Sequence, residues 1–435
     1  MRVISNMYED VFNTLRRPEL DVPLSVKEGD ARCVLCRGTK MLCGKTRCPV
    51  VVRYYQHMKV APLIDSLALE GSSPPAVFVG RVGYPKVSIG PLIPPVHGDT
   101  SILDTPELWT AKSMDEIVAM RSQLVRGKYR ARVTDVENGG RIVDRVREIA
   151  MAVNPADVDA VFLKKPRGGL LLSDEVQPLG PSAPLKTLDV DSLKIDTRID
   201  RAYSDTDLYA KDAVISLYHD EVSVTRIQRA FSIGAFGLGE NRRFVPTRWS
   251  ITAVDDTISK NIVENLKDFQ WINEYRVYES WNLDNRFMVL MFPAAWSYEL
   301  VEAWYPNTTW NPDGKDIVLY SSAEGYRGRS KYAEIGGCYY AARLAVSEQL
   351  EKEKRQASIV ILREAHSGYI MPVGVWNVRE NVRSAVRGAP KKFDTLKEAL
   401  GYIQTRLDIP METWIKNSWM LRQRLYQRRL EEFGA

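Results

Sequence analysis

The sequence predicts an α/β protein, with a mixed sheet and flanking helices, that also carries a small N-terminal four-cysteine zinc module and a helical C-terminus. Three observations predict this. Four of the five cysteines are crowded together near the N-terminus, apolar strand-like runs alternate with helix-like segments in the body, and helix-capping sequences recur near the end. A chain of 435 residues is also longer than one ordinary domain, so several domains are expected.

Composition indicates a folded chain and does not identify a partner. Apolar residues make up 45% and charged residues 26%, which excludes wholesale disorder, and 60 Lys and Arg against 55 Asp and Glu leave a net charge of +5. The longest apolar run, 287–296, contains Pro293 and is far shorter than the roughly 20 residues that cross a bilayer. The N-terminus carries acids and lacks the apolar core of a secretory signal. We therefore expect no membrane association and a cytoplasmic location.

The cysteine cluster has the spacing C-x2-C-x6-C-x4-C and predicts a zinc ion held by four thiolates. Two disulfides are the alternative that a reducing cytoplasm disfavours, and an iron–sulfur cluster stays open because thiolates alone do not select the metal. Four protein ligands leave no position for water, which argues against a catalytic zinc. Nearby cations either offset the thiolate charge or contact phosphates. The predicted ligands are Cys33, Cys36, Cys43 and Cys48, and the nearby cations are Arg32, Arg37, Lys40, Lys45, Arg47 and Arg53.

The elements of the first half follow from local signals. The run 75–80 reads as a strand, and Ser113 with Glu116 forms a capping box that starts a helix. A second helix is expected over 141–153, and the Pro- and Gly-rich stretch 165–185 reads as a connection. This pattern predicts four parts: residues 1–60 with the zinc module, 61–185 as the first part of the body, 186–408 as the main α/β body, and 409–435 as the C-terminal helix and tail.

The second half is expected to contain a mixed sheet followed by helices. Weak alternation over 213–231 and apolar runs at 286–293 and 316–324 favour strands. Composition predicts a helix over 339–354, and 357–364 reads as a buried strand. A second capping box and a proline then mark two C-terminal helices, one starting at Thr395 and one running from Pro410 through Leu425.

Several sequence blocks together resemble the NreA family of archaeal DNA repair proteins, and the likeness covers almost the whole chain. Besides the cysteine module, the blocks are FVGRVGYPKVSIGP (78–91), RFVPTRWSITAVDD (243–256), YYAARLAVSEQLEKEKRQASIVILRE (339–364) and GVWNVRENVRSA (374–385). The resemblance implies a cytoplasmic protein of DNA damage repair with a zinc-binding N-terminus and a C-terminal motif for the sliding clamp, PCNA. It implies no catalytic residues.

The C-terminal tail matches the clamp motif Q-x2-L-x2-F in part, with Gln427, Leu430 and Phe433 in place. Gly434 stands where the usual pattern has a second aromatic residue. Such a tail can form a short 3₁₀ turn that places its two apolar side chains in a pocket of the partner. On the residues alone, Leu430 and Phe433 could equally pin the last helix to the core; the resemblance favours the clamp.

Arginines beside glycines or an aromatic residue are the candidates for nucleic-acid contact. Glycines let a backbone approach a phosphate, arginine pairs with it, and tryptophan stacks on a base. An ordinary turn or a mobile surface loop is the competing explanation for each glycine-containing segment. The candidates are Arg81, Arg242, Arg243, Arg248 and Trp249.

The sequence does not decide whether the protein is an enzyme. The sequence contains acidic residues of the kind that nucleases use to bind metal ions, a His–Asp arrangement and a Glu–His arrangement. Ordinary loop contacts, helix caps and ion pairs explain these residues equally well. The familiar hydrolase and nucleotide-binding motifs are absent. The catalytic candidates are His97, Asp99, Asp255, Glu364 and His366. The alternatives to a DNA-binding repair protein are a nuclease, glycosylase or nucleotide-processing hydrolase, with a pocket of Arg81, His97, Asp99, Arg248 and Glu364, and a non-catalytic adaptor.

Overall fold

The computed structural model describes residues 33, 35–168, 178–312 and 314–426. The chain divides into unit 1, which spans 1–258 and 370–373, and unit 2, which spans 259–369 and 374–435. The four-part division expected from the sequence stays a prediction. Within the described residues, no helix has both the length and the apolar character required to span a bilayer.

Unit 1 is built on a six-stranded mixed sheet with the order β1-β5-β6-β4-β3-β2. Strand β4 runs parallel to β6 and antiparallel to β3, with Lys86 opposite Arg132. The strands are β1 Ala68–Ser73, β2 Val77–Val79, β3 Lys86–Ile93, β4 Val125–Arg132, β5 Ala156–Phe162 and β6 Ser182–Val190. The helices up to the end of this unit are α1 Pro49–Val60, α2 Met114–Gln123, α3 Arg141–Met151, α4 Thr197–Ser204, α5 Ala210–His219, α6 Val224–Ser232 and α7 Thr247–Leu266, which continues into unit 2.

Helix α3 covers one face of this sheet. Its residues Val143, Val146 and Ile149 are buried, and on β4 the hydroxyl of Tyr129 reaches the carbonyl of Gly139 just before the helix. Since side chains alternate across a strand, the neighbours of Tyr129 on β4 point to the opposite face. One face of β4 is thus occupied by the protein core, and the other face is left for polar residues.

A buried carboxylate holds the start of α4. The N-cap residue Asp196 accepts hydrogen bonds from the guanidinium groups of Arg198 and Arg226, and from the backbone N–H of Arg198. These bonds, that of Arg198 first, keep the pKa of Asp196 well below its usual range. The ionised carboxylate therefore stabilises this corner of unit 1.

Unit 2 contains a second six-stranded mixed sheet with the order β10-β9-β11-β8-β7-β12. All eight residues of β11 are buried, as expected for a strand covered on both faces. The strands are β7 Tyr275–Asn282, β8 Asn285–Phe292, β9 Ser297–Trp304, β10 Val318–Glu324, β11 Ser358–Ala365 and β12 Lys391–Phe393. The helices are α8 Gly337–Glu353, α9 Trp376–Arg387, α10 Leu396–Gln404, α11 Met411–Asn417 and α12 Trp419–Tyr426.

The two faces of this sheet pack on different helices. Side chains such as Leu290 and Leu362 form one apolar core with Trp414 and the other buried residues of α10 to α12. On the other face, the hydroxyl of Tyr298 donates to the carbonyl of Tyr339 in α8. Helices therefore flank a mixed sheet, which confirms the α/β class predicted from the sequence.

Two sequence-based element assignments are wrong. The segment 213–231, expected to alternate as strand, lies in α5 and α6, because Ala213, Val214 and Leu217 recur at helical spacing and are all buried. The single helix expected after Pro410 is split at Ser418, whose hydroxyl donates to Glu299. The same carboxylate accepts the first backbone N–H groups of α12, so it caps a new helix there.

Candidate nucleic-acid interface

Strand β4 presents a row of cations on the face opposite α3. Alternate residues of the sequence VRGKYRAR are basic, while Val125, Gly127 and Ala131 between them are buried. We call Arg126, Lys128, Arg130 and Arg132 the cation row.

The cation row lacks acidic partners among the described residues. None of its four side chains forms an ion pair with any residue in the described part of the chain. Burial, and then the charge of Arg121, lower the pKa of Arg126 to about 10. Burial and the charge of Arg126 also lower the pKa of Lys128. The cation row is therefore a strip of neighbouring positive charges whose mutual repulsion an incoming anion would reduce.

The loop between β2 and β3 lies next to this row. Arg130 donates to the carbonyl of Val82, and a Cβ at Gly83, where φ is +84°, would meet the Arg130 guanidinium at 2.8 Å. The positive φ at position 83 therefore favours glycine, and the close contact shows how near the Arg130 guanidinium lies to this turn. Predicted residue Arg81 is exposed in this loop.

The start of α7 lies beside the same loop. The backbone N–H of Val79 donates to Thr247 Oγ1 at 2.8 Å, and the rings of Tyr84 and Trp249 lie 5.6 Å apart. Tyr84 is 54% exposed and Trp249 48% exposed, so both rings face solvent. Arg248 is exposed in the same helical turn. The structure thus brings together three of the predicted residues, Arg81, Arg248 and Trp249, next to the cation row.

The other two predicted nucleic-acid contacts, Arg242 and Arg243, lie in different surroundings. Arg242 is only 4% exposed, and its guanidinium donates to the carbonyls of Gly237, Tyr203 and Asp205. It fixes the surrounding loops and is not at the surface. Arg243 is exposed, although its guanidinium donates to two nearby carbonyls, one of them that of Glu240.

His97 and Asp99 form local contacts on an exposed loop. His97 Nδ1 lies 3.2 Å from Asp157 Oδ1, and Asp99 accepts the backbone N–H of Ser101. Hydrogen bonds from Ser72 and then His97 lower the pKa of Asp157. Both candidates follow β3 whereas Arg81 precedes it, and eight strand residues span roughly 25 Å. The structure therefore does not bring His97 and Arg81 into one pocket, and Glu364 belongs to the other unit.

Asp255 lies within α7. It is fully buried and accepts a hydrogen bond from Gln228 Nε2 at 2.8 Å. Consecutive helix positions are about 100° apart, so Asp255 and Asp256 diverge. They do not form a paired carboxylate site.

Glu364 and His366 meet at the end of β11, as their spacing on an extended strand predicts. His366 Nε2 lies 3.1 Å from Glu364 Oε2. One atom from each of these residues and from Asp408 lies within 4.8 Å of the others. This group of unit 2 is a possible cation site, and nothing in the sequence near 364 indicates Asp408 as its third member.

The four cysteines lie at the start of the described chain and form no disulfide. Cys48 is the N-cap of α1, and its side chain makes no capping hydrogen bond to the helix. Burial raises the pKa of the Cys48 thiol, and the nearby Cys43 and Cys36 add to this. No three of the four sulfur atoms lie within 4.8 Å of one another, so the described residues do not assemble the four-thiolate site, and zinc binding stays a prediction. The fifth cysteine, Cys338, is half-buried by surface area, and the surrounding protein raises the pKa of its thiol to about 12.

The predicted clamp-binding residues Gln427, Leu430 and Phe433 lie outside the described residues.

The sequence analysis missed the cation row, although the pattern R-x-K-x-R-x-R over 126–132 was visible. Four cations at a period of two on a strand are a specific signal for one charged face.

Comparison with known proteins identifies relatives along nearly the entire chain. The family described as "Archaeal Nre, N-terminal" matches residues 42–311, and "Archaeal Nre, C-terminal" matches residues 324–433. No solved structure matches the chain.

Three curated proteins are similar over most of their length. DNA repair protein NreB of Archaeoglobus fulgidus is 42% identical over 92% of this chain and 99% of that protein. DNA repair protein NreA of the same organism is 35% identical over 87% of this chain and 94% of that protein. DNA repair protein NreA of Haloferax volcanii is 33% identical, covering 81% of this chain and 86% of that protein.

Proposed function

Because the chain belongs to the archaeal Nre family, whose curated relatives are named DNA repair proteins, we propose that it acts in DNA repair by binding DNA through unit 1. The observation that carries this proposal is the cation row, beside which Arg81, Arg248 and the Tyr84–Trp249 ring pair are exposed.

The geometry of the cation row suits a phosphate backbone. Alternate strand residues are about 7 Å apart, which is close to the axial rise of two phosphates on one strand of duplex DNA. Lys86, opposite Arg132, widens the charged strip to a second strand. The cations lack carboxylate partners among the described residues, so phosphates would supply the missing counter-charge without breaking an ion pair.

The ring pair adds a different kind of contact. An exposed aromatic ring stacks on an unpaired base for roughly 1 to 3 kcal/mol, and it does so without reading sequence. Trp249 lies in the first turn of α7, where the positive end of the helix dipole also favours phosphate. Cations beside exposed rings favour DNA with unpaired bases over intact duplex.

A titration of the full chain with fluorescent DNA at about 50 and 200 mM salt tests the proposal. We expect the affinity to fall steeply with salt, because each neutralised phosphate releases about 0.9 counterion on duplex DNA and about 0.7 on a single strand. An affinity that does not change with salt, or no binding to either form of DNA, would exclude this function.

Zinc binding is the second part of the proposal. The support is the C-x2-C-x6-C-x4-C spacing of the four cysteines. Four thiolates fit a structural zinc, which would fix the segment before α1 and supply no open position for chemistry. Residues Cys33, Cys36, Cys43 and Cys48 would hold it.

Docking on the sliding clamp, PCNA, is the third part, and the sequence Q-x2-L-x2-F at 427–433 supports it. Deletion of residues 427–435 should abolish co-purification with the clamp and leave DNA affinity unchanged. Full retention of clamp binding by the truncated protein would show that this tail is not the docking element.

A further inference from the structure

We propose that Glu364, His366 and Asp408 of unit 2 form a binding site for a divalent transition-metal ion. The three residues come from the end of β11 and from the segment after α10. One ligand atom from each lies within 4.8 Å of the other two. Carboxylate oxygen and imidazole nitrogen are ligands that Zn²⁺ and Mn²⁺ accept.

Hydrogen bonds hold the Glu364 carboxylate in an orientation suited to binding an ion. Its side chain is completely buried, and Oε1 accepts the backbone N–H groups of Asp408 at 3.0 Å and Ile409 at 2.9 Å. Oε2 is thereby directed toward His366 Nε2 at 3.1 Å. Two ligands bound at about 2.1 Å to one ion stand roughly 3.0 Å apart in octahedral and 3.4 Å in tetrahedral geometry, so the separation of this pair is close to what an ion requires.

His366 is fixed by its neighbours as well. Its ring stacks on Tyr305 with a centroid distance of 4.3 Å and lies nearly parallel to Trp281 at 6.0 Å. The backbone N–H of His366 donates to the carbonyl of Asp284 at 3.0 Å. The imidazole plane therefore cannot rotate freely, which lowers the entropic cost of binding an ion.

Asp408 completes the group from the solvent side. Its side chain is 58% exposed, and one of its carboxylate oxygens lies within 4.8 Å of the ligand atoms of Glu364 and His366. Arg286 Nη1 contacts the other oxygen, Oδ1, at 2.9 Å and lies 3.8 Å from Glu364 Oε2. One guanidinium offsets only one of the two carboxylates, and it leaves Oδ2 available.

The site would keep open coordination positions. Three protein ligands, with Asp408 at the surface, leave room for water or for an oxygen of a phosphate ligand. This distinguishes it from the proposed four-cysteine site, in which the thiolates would fill all four positions. The inference does not depend on DNA binding by unit 1.

Metal titration of the full chain, loaded first with one equivalent of Zn²⁺ for the cysteines, tests the proposal. Mn²⁺ binding is followed by loss of the free-ion electron paramagnetic resonance signal, and additional Zn²⁺ by calorimetry. We expect one further equivalent of at least one of these ions to bind. Replacement of the exposed ligand, Asp408→Asn, should weaken its affinity at least tenfold, and His366→Gln should do the same.

The matched control is His97→Gln, because His97 also faces a carboxylate, Asp157, but has no third ligand among the described residues. This variant should bind the extra ion like the parent protein. The proposal is overturned if neither ion binds beyond the first Zn²⁺ equivalent. It is equally overturned if the extra ion persists at full affinity in Asp408→Asn, which should fold normally because that side chain is largely solvent-exposed.

Discussion

Removing two exposed members of the cation row should weaken DNA binding in a salt-dependent way. We consider the double variant Arg130→Ala, Arg132→Ala, in which both side chains are exposed at the end of β4 beside Lys86. If each arginine neutralises one phosphate, the slope of log K against log salt becomes shallower by about 1.8 on duplex DNA and about 1.4 on a single strand. At about 0.1 M salt this corresponds to a loss of roughly 60-fold and 25-fold in affinity.

The assay is fluorescence anisotropy with the same labelled DNA at four or more salt concentrations. A control with the same loss of charge is Arg141→Ala, Arg145→Ala, on the helix that covers the other face of the sheet. In the parent protein these arginines pair with Asp189 and Glu148, respectively. The control should keep the parent slope and lose at most a few-fold in affinity.

Comparing the salt slopes of the two variants tests whether DNA contacts the face of β4. If both shift the slope equally, DNA responds to the net charge of the protein and not to the face of β4. If Arg130→Ala, Arg132→Ala keeps the parent slope, those side chains do not contact phosphate. Circular dichroism of both variants should match the parent, since the replaced side chains lie at the surface.

Three further predictions concern separate parts of the chain. Trp249→Ala should cost about 1 to 3 kcal/mol in single-strand affinity with little change in salt slope, whereas the similarly exposed Trp271→Ala in unit 2 should cost little; anisotropy titrations check both. Cys48→Ser should reduce the zinc content found by elemental mass spectrometry, and Cys338→Ser should not; equal zinc in all three proteins would contradict the four-cysteine site. Asp196→Asn should destabilise the fold by about 2 to 4 kcal/mol at pH 7 in urea unfolding. Because the pKa of Asp196 is lowered in the folded state, its contribution is complete above the unfolded pKa of about 3.9 and is lost as pH falls, so the difference between parent and variant should shrink in acid; a constant difference would contradict the assignment.

Elements with complete local signals could be predicted from the sequence. The capping boxes at Ser113 and Thr395 are both formed, because an N-cap hydroxyl and a glutamate three residues later satisfy each other without help from the rest of the fold. The buried strand at 358–365 was likewise evident from its unbroken apolar run. These signals lie within a few residues of the structure that they determine.

Features that depend on distant partners could not be predicted. The break at Ser418 requires Glu299, which is 119 positions away in the chain. Glu364 accepts the backbone N–H groups of Asp408 and Ile409, which are 44 and 45 positions away in the chain. No pattern near any of these residues reports the partner, because the contact exists only once the sheet of unit 2 has formed.

Arg242 and Arg130 show why charge in a sequence does not by itself mark a binding site. Both are arginines near glycines, and the sequence favoured Arg242. In the fold, three backbone carbonyls satisfy the buried Arg242 guanidinium, and releasing it to a phosphate would leave those carbonyls unpaired. Arg130 is exposed, donates to one loop carbonyl and has cations as its neighbours on the strand, so an incoming phosphate gains attraction without displacing a carboxylate. The balance of neighbouring groups, which only the fold determines, therefore favours β4 for the proposed DNA contact and gives Arg242 a structural role.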